Sequence, residues 1–268
     1  VRKRPQSSIM VAMNLLKTKE VAAVVSMGHT GATMAAALFT LGRVKGVERP
    51  ALLVEFPSQK GRTFLLDGGA NADCRPSFLV QFAAMGLAYA EASGALAPRV
   101  GLLSIGEEEG KGNALVQEAY PLLRAALGER FYGNVEGRYV FLGTTEVVVT
   151  DGFTGNVVIK TMEGMVDLMK DMARQALAGR RRNFLALPLL LPALPFVVAA
   201  GAVVAPSVLE LLRRTSWREY GAGPLLGVDG LVFVAHGRSD ARAIRSALRV
   251  AQEAVRSGML EALRQLRV

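Results

Sequence analysis

The sequence predicts a three-layer α/β/α fold, with a largely parallel sheet covered by helices on both faces. Two observations carry that expectation. Strand-like apolar runs recur, and five of them feed a glycine-rich turn and then a segment with helical spacing. Strands that alternate with helices through short loops build parallel sheets, because a parallel connection needs a crossover about as long as a helix. The composition is that of a globular chain: 268 residues, 51% hydrophobic and 21% charged, with ample material for a buried core.

The five units follow in order. Val21 to Val25 reads as a strand that passes through Gly28, His29, Thr30 and Gly31 into a helix of small residues. A second strand runs to Leu66, turns over Asp67 to Cys74, and gives way to a helix after Pro76. "RVGLLSIGEEEGKGNALVQEAYPLL" repeats the scheme with its turn at Gly106 to Asn113. The fourth unit is "VVVTDGFTGNVVIK". Asp-Gly between β-rich runs is a hairpin signal, yet Val157, Met162, Met165, Val166, Met169 and Met172 continue near helical spacing with no second turn after Lys160. The strand is therefore expected to end at Thr150 or Asp151, and a helix to begin near Asn156, capped by Thr154 or Asn156. "LVFVAHGRSDARAIRSAL" is the fifth unit. In such sheets ligands bind at the carboxyl ends of the strands, where these turns fall.

One stretch breaks the pattern. Phe184 to Leu209 carries no charge over 26 residues, and arginines flank it at 180–182 and 213–214. A straight helix of that length would be about 39 Å long and would cross a bilayer. Pro188, Pro192, Pro195 and Pro206 oppose a straight helix. A bent or hairpin-like element on a membrane surface or at an oligomer interface is the favoured reading, ahead of a spanning helix or a buried one. The chain thus divides into an α/β core over 1–179, an apolar insertion over 180–215 and a return to the core over 216–268.

The formal net charge of +9 favours an acidic partner. Arg238, Arg242, Arg245 and Arg249 form one stripe of a helix, read either as a solvated face or as a docking face for something acidic. No aromatics are interleaved with the basic residues, so nucleic acid is not expected. The single cysteine, Cys74, excludes an internal disulfide framework and fits a reducing compartment. No Cys/His cluster has zinc spacing, and neither a metal nor a cofactor is assigned.

The turns hold Gly, Asn, Thr, Asp and Lys and almost no strong nucleophile. Glycine lets backbone N–H groups approach an anion, and a helix N-terminus adds unpaired donors. "GHTGAT" and "GFTGNV" both place Thr-Gly where a strand hands over to a helix, and Lys111 adds a mobile cation between two glycines. The order of a P-loop is not matched, and a GxGxxG fingerprint is absent.

Taken together, "SMGHTGATMAA", "LLDGGANADCRP", "PRVGLLSIGEEEGKGN", "GNVEGR", "VVVTDGFTGNVVIKTMEG", "EYGAGPLLGVDG" and "AHGRSDARAIRSAL" resemble, in order and spacing, the phosphate acyltransferase family PlsX. The resemblance covers about Ser7 to Val255. It implies a fold related to phosphate acetyltransferases and isopropylmalate dehydrogenases, a homodimer, and a cytoplasmic protein attached peripherally to the membrane through about 184–212. The implied reaction joins acyl–acyl carrier protein and inorganic phosphate into acyl phosphate for phospholipid synthesis. The chain departs from the family at Met27 and His29, where an "SAGNTGA" pattern is usual, and at Tyr139, where "GNVEGRD" is usual. A family strand and loop upstream of its first residue are expected to be missing.

Phosphate is already a nucleophile at neutral pH, so this reaction needs no activated Ser or Cys, in keeping with the absence of a triad or nucleophile elbow. Phosphate binding is assigned to His29, Thr30 and Gly31 and to Thr154, Gly155 and Asn156, with Lys111 as the cation. Asn71, Asn113 and Asn134 are neutral donors for the oxyanion. His236 is the candidate proton donor to the leaving thiolate, or else a helix-capping or core histidine. Asp67, Asp151 and Asp240 orient donors or bind a cation, or serve as caps and turn formers. Glu136 positions Lys111 or the pantetheine arm, or pairs with Arg138. The rival functions are an acyl-CoA-dependent phosphotransacylase and a non-catalytic membrane scaffold.

Overall fold

The computed structural model describes residues 6–179, 222–235, 237 and 239–266. The insertion over 180–215, His236 and Arg238 lie outside the described residues. The strands are β1 (Val24–Ser26), β2 (Ala51–Ser58), β3 (Gly61–Leu66), β4 (Val100–Leu103), β5 (Phe131–Val135), β6 (Val147–Val149), β7 (Ala222–Leu226) and β8 (Val232–Ala235). The helices are α1 (Ser8–Lys17), α2 (Thr30–Thr40), α3 (Pro76–Ala92), α4 (Ala114–Leu127), α5 (Tyr139–Leu142), α6 (Gly152–Gly179), α7 (Ala241–Arg256) and α8 (Met259–Arg264).

All eight strands join one sheet in the order β1–β8–β7–β2–β3–β6–β4–β5. The sheet is mixed and mostly parallel. β1 pairs parallel with β8, and β3, β6, β4 and β5 form a second parallel block. Between the blocks, β7 and β2 make three antiparallel pairings, to β8, to each other and to β3. The two parallel blocks therefore run in opposite senses. Turns after β1 and β8 leave one edge of the sheet, and turns after β3, β4, β5 and β6 leave the other.

Helices cover both faces. α3, α4, α7 and α8 pack on Leu53, Phe64, Leu66, Leu102 and Phe233. On the opposite face, α1 and α2 cover Val24, Leu225 and Val232, while α5 and α6 cover Phe56, Leu65, Val135 and Val148. The pleat explains the division: on β2, Leu53 faces one layer while Leu52 and Val54 face the other. Between the α1–α2 pair and the α5–α6 pair, Leu52, Val54, Gly223 and Val234 line an open cleft.

Two boundaries differ from the sequence expectation. β1 starts at Val24 rather than Val21, because β8, its partner among the described residues, begins pairing at Val232, and Val21 instead closes the turn after α1 through its N–H to Leu15 O. α6 starts at Gly152 rather than near Asn156, because Asp151 supplies the cap: its Oδ1 accepts the Thr154 N–H at 2.8 Å.

α3 lies close on the sheet at Gly86, where an added Cβ would sit 2.6 Å from Val147 Cγ1 and 3.0 Å from Leu66 Cδ1. Gly86→Val should destabilise the fold by about 1–3 kcal/mol, the usual cost of overpacking. Chemical denaturation midpoints at an unchanged m-value measure it.

Candidate active site

The turn after β3 is organised by one buried carboxylate. Asp67 Oδ1 accepts N–H groups from Leu52 at 3.0 Å, Gly69 at 3.1 Å and Ala70 at 2.9 Å. Its Oδ2 accepts the Asn71 N–H at 2.7 Å and Asn71 Nδ2 at 2.9 Å. Burial pushes the Asp67 carboxyl above its ordinary range, and the donors of Ala70, Leu52 and Asn71 pull it back. Asn71 Nδ2 also donates to Pro50 O at 2.7 Å, so both ends of this turn are tied to the start of β2. Asp67 and Asn71 thus hold the turn itself.

α6 is seated on that turn. Gly152 N–H donates to Asn71 O at 2.7 Å. A Cβ on Gly152 would lie 2.5 Å from Asn71 O, and one on Gly155 would lie 1.9 Å from Asp67 O. The glycines of "DGFTGN" therefore permit two backbones to touch. Thr154 is committed to the cap, with its hydroxyl donating to Asp151 Oδ2 at 2.8 Å. The residue of this motif that reaches the cleft is Asn156, which is exposed and lines it beside Gly68 and Gly69.

The cleft has a volume of about 400 Å³. Leu52, Val54, Phe56, Ile159, Met162, Val166 and Val234 give it apolar walls. It follows β2 from Leu52 to Pro57, about 17 Å of strand, and so connects the two edges of the sheet. Thr30, the first residue of α2, lines it as well. Of the residues assigned from sequence, the cleft brings together Thr30 and Asn156. His29 stands just before Thr30 and caps α2, its Nδ1 accepting the Ala32 N–H at 3.4 Å, while Gly31 is exposed in the first turn.

A smaller pocket of about 170 Å³ lies between the carboxyl ends of β4 and β6, lined in part by Ser104, Asn113, Thr150, Asp151 and Thr154. Asn113 caps α4, its Oδ1 accepting the Val116 N–H at 3.0 Å. Asn134 is buried beneath the 104–113 loop and donates through Nδ2 to Glu108 O at 2.7 Å, leaving its Oδ1 without a partner. Lys111 is exposed on the same loop, and its N–H also donates to Glu108 O. Ser104 was missed in the sequence: its Oγ is buried and unpartnered. The available signal was its position as the first polar residue after the apolar run of β4.

The remaining assignments stand apart from the cleft. Glu136 pairs with Arg138 at 3.0 Å, Arg138 reaches Glu107 at 3.6 Å, and the Tyr139 hydroxyl donates to Glu107. The departure from the family at Tyr139 thus belongs to a surface ion-pair cluster. Asp240 caps α7, accepting the Ala243 N–H at 3.0 Å. Among the described residues no cluster of three or more His, Cys, Asp or Glu could hold a metal ion. Within the same limits no helix is long and apolar enough to cross a membrane.

Cys74 lies under α6 with its thiol pushed up to about 12, first by burial and then by the charges of Asp67, Asp151 and Asp73. Native protein at pH 8 should react with iodoacetamide at least about 30-fold more slowly than unfolded protein, the smaller thiolate fraction outweighing the greater nucleophilicity of each thiolate. Comparable rates would show an activated thiol. Gly155→Ala should cost about 3 kcal/mol through backbone overlap. Gly164→Ala, where a Cβ meets nothing within 4 Å on the same helix, should instead stabilise by up to about 1 kcal/mol. Thermal unfolding of the two variants compares them directly.

Comparisons with known proteins agree with this architecture. A family model described as "Fatty acid synthesis protein" matches residues 1–262. A phosphate acyltransferase of Thermus thermophilus is 67% identical over 266 residues, which cover 99% of this chain and 77% of that protein. One from Desulforudis audaxviator is 45% identical over 261 residues, covering 97% and 73%. Among solved structures, a branched-chain phosphotransacylase from Enterococcus faecalis superposes with a TM-score of 0.54 at 14% identity, covering 93% of this chain and 80% of that one. A phosphotransacetylase from Streptococcus pyogenes gives 0.52 at 14% identity, covering 94% and 65%. The fold is thus shared with phosphotransacetylase-like proteins, and the chain belongs to the PlsX family of phosphate acyltransferases.

Proposed function

We propose that the chain transfers an acyl group from acyl–acyl carrier protein to inorganic phosphate, releasing acyl phosphate. A phosphate oxygen attacks the thioester carbonyl, the new C–O bond forms, the C–S bond breaks, and the departing thiolate takes up a proton. The observation that carries the reading is the cleft along β2. Its walls are apolar enough for a hydrocarbon chain, and Asn156, Thr30 and the Gly68–Gly69 backbone place polar groups along it. No nucleophilic side chain is required, in line with a Cys74 thiol held protonated.

In this reading the amide of Asn156 and the Gly68–Gly69 backbone position phosphate and the developing oxyanion at their end of the cleft. The α2 N-terminus at Thr30 and Gly31 is a second anion-binding group at the other end, and Lys111 is a mobile cation from the 104–113 loop. Thr154, Gly155, Asp67 and Asn71 hold the platform on which Asn156 stands. The proton for the thiolate is assigned to His236, and the homodimer and the peripheral membrane contact to the 184–212 segment. The site is cytoplasmic.

The deciding experiment incubates the protein with palmitoyl–acyl carrier protein, with and without phosphate, and traps acyl phosphate with hydroxylamine. Phosphate-dependent hydroxamate is expected. Thioester loss indifferent to phosphate would refute the reaction, and turnover of acyl-CoA alone would select the phosphotransacylase reading. Asn156→Ala should raise the KM for phosphate by about 10–100-fold, the loss of a hydrogen bond to a charged group. An equal rise for the acyl donor would return Asn156 to a structural role.

A further inference from the structure

α7 presents a second, narrower apolar surface beside its arginines. Its broad apolar side, including Ala243, Ala247, Ala251 and Ala254, is already buried in the fold. On the solvent side Ile244, Leu248 and Val255 are exposed, Leu248 by 57%. At about 100° per residue these three share an arc of about 40°. Arg242, Arg245, Arg249 and Arg256 fall in a neighbouring arc of about 60°, so an aliphatic ridge runs alongside a strip of guanidinium groups.

We propose that this face of α7 is the docking surface for the acidic carrier protein that presents the acyl thioester. The proposal rests on the reaction read above and adds where its macromolecular substrate binds. Charge complementarity is the first support: an arginine strip on a chain of net charge +9 attracts an acidic surface and raises its encounter rate. Place is the second. β8 leads into α7, and its Val234 and Ala235 line the cleft. Gly237, on the connection, lies against Met27 O, which leads into the α2 N-terminus. From the cap at Asp240, Arg245 lies about 8 Å and Arg249 about 14 Å along the helix axis. A carrier seated on these turns can deliver a group held on a long flexible arm.

The shape of the face favours a protein over lipid. A helix lying in a membrane interface buries a wide apolar side, and on α7 that side is occupied by the fold. What remains is a ridge one side chain wide with a charged rim, the arrangement of an anchoring contact between proteins.

The test compares the wild type with Arg245→Glu/Arg249→Glu and with Leu248→Ser, on acyl–carrier protein and on the same acyl chain carried by coenzyme A. At low salt each variant should raise the KM for the carrier-borne donor about tenfold with kcat and the carrier-free donor unchanged, and in the wild type the carrier's advantage should fade as salt screens it. An equal rise for both donors, or no rise, overturns the proposal. So does loss of flotation with anionic vesicles while the carrier KM stays intact, which would give the face to lipid. If the wild type turns over neither donor, the reaction fails by itself. Fluorescence anisotropy with labelled carrier protein then decides docking: binding that the double variant abolishes upholds it, and no binding overturns it.

Discussion

The contact on which the rest of the site depends is the meeting of two backbones, that of the turn after β3 and that of the first turn of α6. At Gly155 and Gly152 no Cβ fits between them. The closeness matters because α6 carries one wall of the cleft, from Asn156 through Ile159 and Met162 to Val166. A helix lifted by the width of a methyl group would widen the cleft along its length and move Asn156 away from Gly69. Asp67 makes the contact possible by satisfying the backbone donors of a turn that has no strand to pair with. A buried carboxylate that accepts five donors is costly to place in the interior and rigid once placed.

A second constraint comes from the antiparallel centre of the sheet. Had all the strands run one way, the glycine-rich turns would have gathered along one edge, as in an open parallel fold. Because β7 and β2 reverse the direction, the α2 N-terminus and the Asp67 turn leave opposite edges. They are connected by the exposed face of β2. Among the described residues no helix covers the middle of one face, and the cleft is that strip. Site and topology thus have one origin.

Much of this was legible in the sequence, and the misses have physical reasons. The helix after "DGFTGN" was readable because its methionines and valines keep helical spacing beyond the length of any hairpin strand. Its start was misplaced by four residues because Asp151 was read as the end of a strand, when its carboxylate reaches forward to the Thr154 N–H. The glycines of "DGFTGN" looked like an anion-binding loop, since a sequence cannot separate a glycine that admits an anion from one that admits another backbone. At Gly152 and Gly155 the near neighbour is backbone. β2 escaped notice although its signal was present: two apolar runs flank Gln59–Lys60, and Gly61 takes φ +130°. Pro224 and Gly223 concealed β7, because both residues weaken a strand pattern. The order and spacing of the motifs, by contrast, were specific enough to give the family.

The pairing of β1 with β8 has a consequence for how the molecule is made. Val24 waits for Val232 and Ala51 for Leu226, partners that leave the ribosome long after them. Until then one side of β2 presents free N–H and C=O groups to the surroundings, and β1 lacks the strand it pairs with among the described residues. The emerging chain therefore carries an open strand edge until β7 and β8 emerge, the kind of edge that recruits other strands. Completion of the sheet, and with it the floor of the cleft, waits for β7 and β8, so chains cut short before Ala222 should be more prone to stick to one another than to turn over substrate.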